Sequence, residues 1–326
     1  MTFDEIKSIT FGAARVEEKN GKIHFYRFTT GQEQMYQQRN ADFYKKTFAT
    51  AGVYLEFETD SERLSFAVEV TPGSSRKFFT HSVYVNGTRI GELSGEFTGD
   101  ERDKPFSGSF SLGNGMKHVK IYFPWTAASC LTSFSLDEGS QVIPVQKTKN
   151  ILIFGDSITQ GYDAFAPENS YASQLTARLS ANAFNKAIGG ETFCPELASL
   201  PDQMNPDLIT VAYGTNDWSH CSREEFETNS FGFYRNLCNT YPGTPIFALA
   251  PIWRTNAEEQ KPMGPLVEVR KCFERIAEEC KQVTVLDGID YLPHDSKYFS
   301  DLTLHPNDAG FQYYADGLWN KLKNHL

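Results

Sequence analysis

A change of rhythm near residue 150 constrains this chain more than any other feature of its sequence. Before it, short runs alternate polar and apolar residues, as in Gly52-Val53-Tyr54-Leu55-Glu56-Phe57-Glu58-Thr59 and Arg63-Leu64-Ser65-Phe66-Ala67-Val68-Glu69-Val70. A period of two with an Asp-Ser-Glu corner between the runs predicts an antiparallel pair with one buried face. His81 to Val85 and Thr88 to Leu93 flank Asn86-Gly87, a dipeptide suited to the positive φ values of a type I′ hairpin turn. Further strands are expected at Phe106 to Leu112 and His118 to Phe123, and this half shows no segment of helical period. Short strands at this spacing point to a β-sandwich of jelly-roll type over residues 1–145.

After a polar connection at Val145 to Lys149 the pattern becomes strand, helix, strand. Ile151-Leu152-Ile153-Phe154 is continuously apolar, as a parallel strand covered on both faces must be. Further strands are expected at Ala183 to Ala187, Asp207 to Tyr213, Pro245 to Ala250 and Gln282 to Leu286. Helices are expected at Ser170 to Ala181, Glu224 to Asn239, Pro265 to Lys281 and Asn307 to Lys323. The alternation predicts a doubly wound α/β domain over residues 150–326.

Composition narrows the function classes. With 326 residues, 40% of them hydrophobic, the chain can bury two cores. Its greasiest runs are strand-sized, far short of the ~18 to 20 residues that span a bilayer. The first residues, Met1-Thr2-Phe3-Asp4-Glu5-Ile6-Lys7, carry neither a basic start nor an apolar stretch, so a cytoplasmic protein is expected unless a leader has been removed. Six scattered cysteines without a Cys-x-x-Cys pair read as free thiols, and the adjacent His220 and Cys221 lack zinc-ligand spacing. No metal or cofactor is expected. Residues 1–149 hold 18 basic and 18 acidic side chains, so the whole net charge of −10 falls on residues 150–326, with 13 and 23. An acidic half without a basic stripe is a poor partner for nucleic acid or an anionic membrane.

In an open α/β sheet, ligands bind beyond the carboxyl ends of the strands. Four sequence blocks fall there: Gly155-Asp156-Ser157-Ile158-Thr159, which presents a hydroxyl; Asn185 to Thr192, with Gly189-Gly190 able to free a backbone N–H; Gly214-Thr215-Asn216-Asp217, with a side-chain amide; and Asp301-Leu302-Thr303-Leu304-His305-Pro306-Asn307, with a carboxylate and an imidazole before the last helix. Each alone is also sound turn or cap chemistry.

Together, in this order, the four blocks resemble those of the SGNH (GDSL-type) hydrolase superfamily across roughly Asn150 to Leu326. The resemblance implies that Ser157 is the nucleophile and His305 the base. It also implies that the Ser157 and Gly190 N–H groups and the Asn216 amide form the oxyanion hole. One departure stands out. The family's acid normally lies three residues before the histidine, where this chain has Leu302; Asp301 lies four before. Asp301 is expected to be the triad acid on a bulged loop, with Asp295, Asp308 or a backbone carbonyl as alternatives.

No serine lies in Gly-x-Ser-x-Gly and no phosphate-binding loop is present, which removes two other classes. Cys194, near Gly190, is an alternative nucleophile. A sandwich preceding such a domain resembles bacterial carbohydrate esterases, which implies a small-molecule or oligosaccharide acetyl ester as substrate. The superfamily's lipases, lysophospholipases and thioesterases, and an inactive sugar-binding protein, are the alternatives. Trp253, Arg254 and Trp218 follow strand exits and are candidates for sugar contact.

Overall fold

The computed structural model describes residues 1–99 and 102–326. The N-terminal part is two antiparallel sheets. One orders Thr10–Phe11, Tyr54–Thr59, Lys117–Tyr122, Phe78–Val85 and Thr88–Glu96, with Val142–Pro144 also on Tyr54–Thr59; the other orders Arg15–Lys19, Lys22–Tyr26, Ala127–Leu136, Arg63–Pro72 and Lys104–Ser111. Alternation decides the packing: Leu55, Phe57, Val83, Val119 and Ile121 of the first sheet share a core with Leu64, Phe66, Val68, Val70 and Leu131 of the second. The Asn86-Gly87 turn has φ of 48° and 79°, as its hairpin requires.

The sandwich contains helices that its sequence pattern hides, Phe3–Ser8, Thr30–Arg39 and Ala41–Thr47. Thr30–Arg39 reads Thr-Gly-Gln-Glu-Gln-Met-Tyr-Gln-Gln-Arg and buries only Gln32 and Tyr36, too narrow a stripe to register as helical period. Its start is set by a capping box, with Thr29 accepting from the Gln32 N–H and Gln32 returning to the Thr29 N–H.

The C-terminal part is a five-stranded parallel sheet ordered Ala181–Asn185, Lys149–Gly155, Leu208–Ala212, Ile246–Leu249 and Val283–Leu286. The first strand in the chain therefore lies second, and the connections run outward from it in both directions. Ile151 and Ile153 pack with Leu175, Phe311 and Leu318 on one face. Leu152 and Phe154 pack with Leu197, Phe233 and Phe273 on the other. Two covered faces explain why Ile151 to Phe154 of that strand are apolar without a break. The helix expected to reach Ala181 ends at Arg178, because the chain turns at Ser180 with φ of 47° and Ala181 already pairs with Lys149. Among the described residues no helix is long and apolar enough to cross a membrane.

The two parts are welded by buried cations. The Arg27 guanidinium has no solvent exposure and donates to the carbonyls of Lys46 and Ala49 on its own side, and to those of Asn185 and Ala187 on the other. Lys186 reaches back to the Arg27 carbonyl and pairs with Asp202, while Lys46 donates to the Gly189 carbonyl. Phe28 and Tyr36 join the α/β core directly. Arg27→Met, which removes the guanidinium donors from four buried carbonyls, is expected to lower stability by about 3 kcal/mol or more. The urea midpoint checks this; a shift no larger than that of the exposed control Arg235→Met would refute it.

Candidate active site

The crevice of such a sheet opens where the strand order reverses, between Lys149–Gly155 and its two neighbours. Ser157 lies two residues beyond that point. Gly155 is required there, since a Cβ would fall 2.2 Å from Thr159 Oγ1 and 3.0 Å from the Ala212 carbonyl oxygen. Ser157 does not stand in an open turn ahead of a helix, as its sequence suggests, but opens the helical turn Ser157–Gln160. Asp156 caps that turn by accepting from the Ile158 N–H at 2.9 Å. Burial, with the charge of Asp217 adding to it, pushes the Asp156 carboxyl up to about 7 against the opposing Ile158 hydrogen bond.

His305 reaches the same point from a loop closed at its base by the Phe299 and Pro306 bridge and by the Ser300 N–H on the His305 carbonyl. Its Nε2 lies 2.9 Å from Ser157 Oγ, and its Nδ1 lies 2.7 Å from Asp301 Oδ2. The other Asp301 oxygen accepts the N–H groups of Thr303, Leu304 and His305 at 2.9, 2.7 and 3.1 Å. Partial burial works to raise the Asp301 carboxyl, but the hydrogen bonds from His305 and the backbone outweigh it and hold the group well below the usual carboxylate range. The residue in excess of the family spacing is absorbed at Leu302, which takes φ of 59° and is 63% exposed. Of the alternative acids, Asp295 caps Ser296–Tyr298 and pairs with Lys297. Asp308 accepts from the Phe165 N–H and the Asn169 amide.

The remaining donors come from two loops that are tied together. Asn216 Nδ2 donates to the Glu191 carbonyl at 2.9 Å, which uses one amide hydrogen and leaves the other. Asp217 accepts from Phe193 N–H and Gly214 N–H, which ties the end of the second sequence block to the third. Gly190 has φ of 90°, a conformation open to glycine, and is itself exposed between the buried Gly189 and Glu191. Its neighbour Gly189 is spoken for, donating to Gln160 Oε1 at 2.8 Å.

Trp218 does not fit a sugar-contact role. It is 0% exposed, donates Nε1–H to the Gly264 carbonyl and lies under Arg254, because the helix Thr215–His220 turns it into the α/β core. Arg254 is itself buried and holds Thr215 and Ser219 of that helix, together with Asn256. Trp253 is half-buried and stacks on His294 at 4.8 Å. The Cys194 thiol is buried, and burial raises its pKa to about 12, the wrong direction for a nucleophile.

The sequence gives no hint of a set of neighbours around the imidazole. The Tyr162 ring stacks on His305 with centroids 5.7 Å apart, and Asp163 Oδ2 lies 3.9 Å from His305 Nδ1. Arg76, from the sandwich loop before Phe78, forks onto both Asp163 oxygens at 2.6 and 2.9 Å. Asp163, Asp301 and His305 present ligand-type atoms within 4.8 Å of one another, yet each is engaged by Arg76, backbone N–H groups or its neighbour. The cluster is therefore an ion-pair network.

Residues 153–313 match the GDSL-like lipase/acylhydrolase family. An arylesterase from Vibrio mimicus is 35% identical over 80 residues, which spans 22% of this chain and 40% of that protein. Among solved structures, a salicylyl-acyltransferase from a tetracycline biosynthetic pathway superposes with a TM-score of 0.78 at 19% identity, covering 97% of this chain and 94% of the other. A family two carbohydrate esterase from Clostridium thermocellum, in complex with cellohexaose, gives 0.66 at 19% identity over 85% and 93% of the two chains. An acetyl xylan esterase from Butyrivibrio proteoclasticus gives 0.62 at 16% identity over 98% and 95%. Both parts of the chain thus share the architecture of these proteins.

The left-handed turn at Leu302 makes a separable prediction. Leu302→Gly, which adopts that φ freely, is expected to keep the parent ester-hydrolysis rate and thermal midpoint. Leu302→Pro, with φ fixed near about −65°, should open the Asp301 cradle and lower the rate by roughly 10² or more. Equal rates for the two variants would show that the bulge does not position the acid.

Proposed function

Residues 153–313 of this chain belong to the GDSL-like lipase/acylhydrolase family, within the SGNH superfamily, and from that premise we propose that the protein is a serine esterase removing short acyl groups, acetyl foremost, from carbohydrate esters. The observation that carries this reading is the unbroken line from Ser157 Oγ through His305 to Asp301, at 2.9 and 2.7 Å.

In this reading His305 Nε2 takes the Ser157 proton as Oγ attacks the acyl carbon. Asp301, held ionised by its backbone cradle, keeps the ring proton on Nδ1 and stabilises the imidazolium. The oxyanion is received by the Ser157 and Gly190 N–H groups and the free Asn216 amide hydrogen, each such donor ordinarily worth on the order of 10² to 10³ in turnover. The imidazolium protonates the departing alkoxide, and water then releases the acyl group from Ser157 with the roles reversed. No step calls on a cofactor.

The sugar preference draws on the esterases that share both parts of the fold and on the surface beside Asp301. An open crevice of about 630 Å³ there is lined by Phe78, Asp163, Phe165, Asp301, Asn307 and Asp308. Phe165 is 59% exposed, offering a ring face, and the carboxylates suit hydroxyl donors.

Two outcomes test the reading. Ser157→Ala is expected to abolish p-nitrophenyl acetate hydrolysis and fluorophosphonate labelling, and Asp301→Asn to slow hydrolysis by roughly 10² to 10⁴ while Asp295→Asn stays within about twofold. Full activity of Ser157→Ala would refute the serine mechanism, and a parent protein that neither hydrolyses the ester nor takes the label would be left as a sugar-binding protein. For substrate, acetate release from acetylated xylan, mannan and monosaccharides should exceed release of long acyl chains; the reverse order would make the protein a lipolytic relative instead.

A further inference from the structure

The Ser157, His305 and Asp301 line leaves a second carboxylate unexplained. Asp163 approaches the same imidazole nitrogen: its Oδ2 is 3.9 Å from the Nδ1 that Asp301 holds at 2.7 Å. Its backbone is in the left-handed region at φ of 69°, which an aspartate adopts at some cost. The conformation persists because the two residues that follow are pinned: Trp125 donates to the Ala164 carbonyl, and the Phe165 N–H donates to Asp308. Two carboxylates near one ring nitrogen compete for its proton and together favour the imidazolium over the neutral base.

Arg76 resolves that competition from outside the α/β domain. Its Nε and Nη2 meet the two oxygens of Asp163 as a fork, and its guanidinium lies 5.2 Å from the centre of the Tyr162 ring that stacks on His305. The neighbouring Ser75 N–H donates to the Tyr162 hydroxyl at 3.4 Å. Two successive residues of one sandwich loop thus grip the two successive residues that flank the imidazole. The other charges around the ring are accounted for: Asp301 on its own loop, Asp308 on the final helix bound to Phe165 and Asn169, Asp156 buried behind Ser157, and Arg254 held by Thr215 with its charge acting on Asp301 and Asp156.

We propose that Arg76, supplied by the N-terminal domain, is a positioning residue for His305: by pairing with both oxygens of Asp163 it prevents that carboxylate from drawing the imidazole Nδ1–H away from Asp301 and from adding a second uncompensated negative charge beside the ring. The inference rests on the serine-esterase reading. It gives the sandwich a part in the reaction beyond support.

The test is the pH dependence of kcat/KM on p-nitrophenyl acetate between about pH 5 and 8.5, whose acid limb marks the pH at which the base becomes protonated. In Arg76→Gln the bare Asp163 carboxylate favours the imidazolium, so the acid limb should move to higher pH by about half a unit or more. In Asp163→Asn the bare Arg76 cation opposes it, so the limb should move to lower pH. The double variant removes both charges and should return to within about 0.2 unit of the parent. Arg76→Lys keeps the charge without the fork and should lie between the parent and Arg76→Gln.

A rate loss with unmoved limbs would assign Arg76 a purely structural role and overturn the proposal, as would single variants shifting in the same direction or a double variant matching Arg76→Gln. If Arg76→Gln does not fold, the downward shift in Asp163→Asn decides alone. Fluorophosphonate labelling run alongside separates the two readings. Loss of label and activity in Ser157→Ala with coincident limbs sinks only the role of Arg76, whereas full activity in Ser157→Ala sinks both.

Discussion

Arg27 sits at zero exposure with no carboxylate paired to it among the described residues, and four backbone carbonyls from two parts of the chain converge on its guanidinium. A cation buried this way is stable only while every acceptor stays in place, because losing one exposes the cost of desolvating the charge. The requirement is mutual. Asn185 and Ala187, at the exit of the second parallel strand, are fixed by a residue of the sandwich, while Lys186 between them sends its own ammonium back to the Arg27 carbonyl and to Asp202. The loop that carries Gly189 and Gly190 leaves from this lock, with Lys46 on the Gly189 carbonyl and Arg39 on Glu191. The geometry of that loop is thus set from both parts of the chain, by these cations on one side and by Gln160 and Asn216 on the other.

The fourth block shows a different way of holding a functional group. An acid one residue further from its histidine needs the chain to shorten its path, and a left-handed residue does so by folding the backbone back on itself. The same fold points three consecutive N–H groups at one carboxylate oxygen, leaving the other for the imidazole. The cradle therefore does two things at once. It keeps Asp301 ionised despite partial burial, and it removes the freedom of the side chain to rotate away from Nδ1.

The fold was legible wherever burial imposes a period. The run 151–154 read as apolar because both faces are covered, and the sandwich strands alternated because only one is. The helix Thr30–Arg39 was not legible, since it touches the core through two residues and is held mainly by polar contacts such as Gln32 on the Leu200 carbonyl. The same distinction runs through the site. Ser157, Gly190 and Asn216 stand in blocks at strand exits and His305 in the block before the last helix, where local sequence and position agree. Trp218 stood in such a block too, but whether a ring faces solvent or core is decided by helix rotation, which a six-residue segment does not reveal. Arg76 had no local signal at all: it sits in a Pro-Gly-Ser-Ser-Arg turn whose partner is 87 residues away.

That last separation bears on how the two parts divide the labour. In the proposed reading the α/β part supplies the hydroxyl from one strand exit and the imidazole with its carboxylate from one loop before the last helix. What topology does not supply is the second layer: the ring against the imidazole, the neutralised carboxylate beside it, and the clamp on the Gly190 loop. Each of these is completed by the sandwich, through Ser75 and Arg76 at one side and Arg27, Arg39 and Lys46 at the other. A hydrogen-bonded line of three groups tolerates little displacement, and groups held on loops drift unless a rigid neighbour fixes them. Contacts placed on both flanks of the rim turn two packed domains into one catalytic unit, so a severed α/β half would retain its three aligned groups in sequence while losing what keeps them aligned in space.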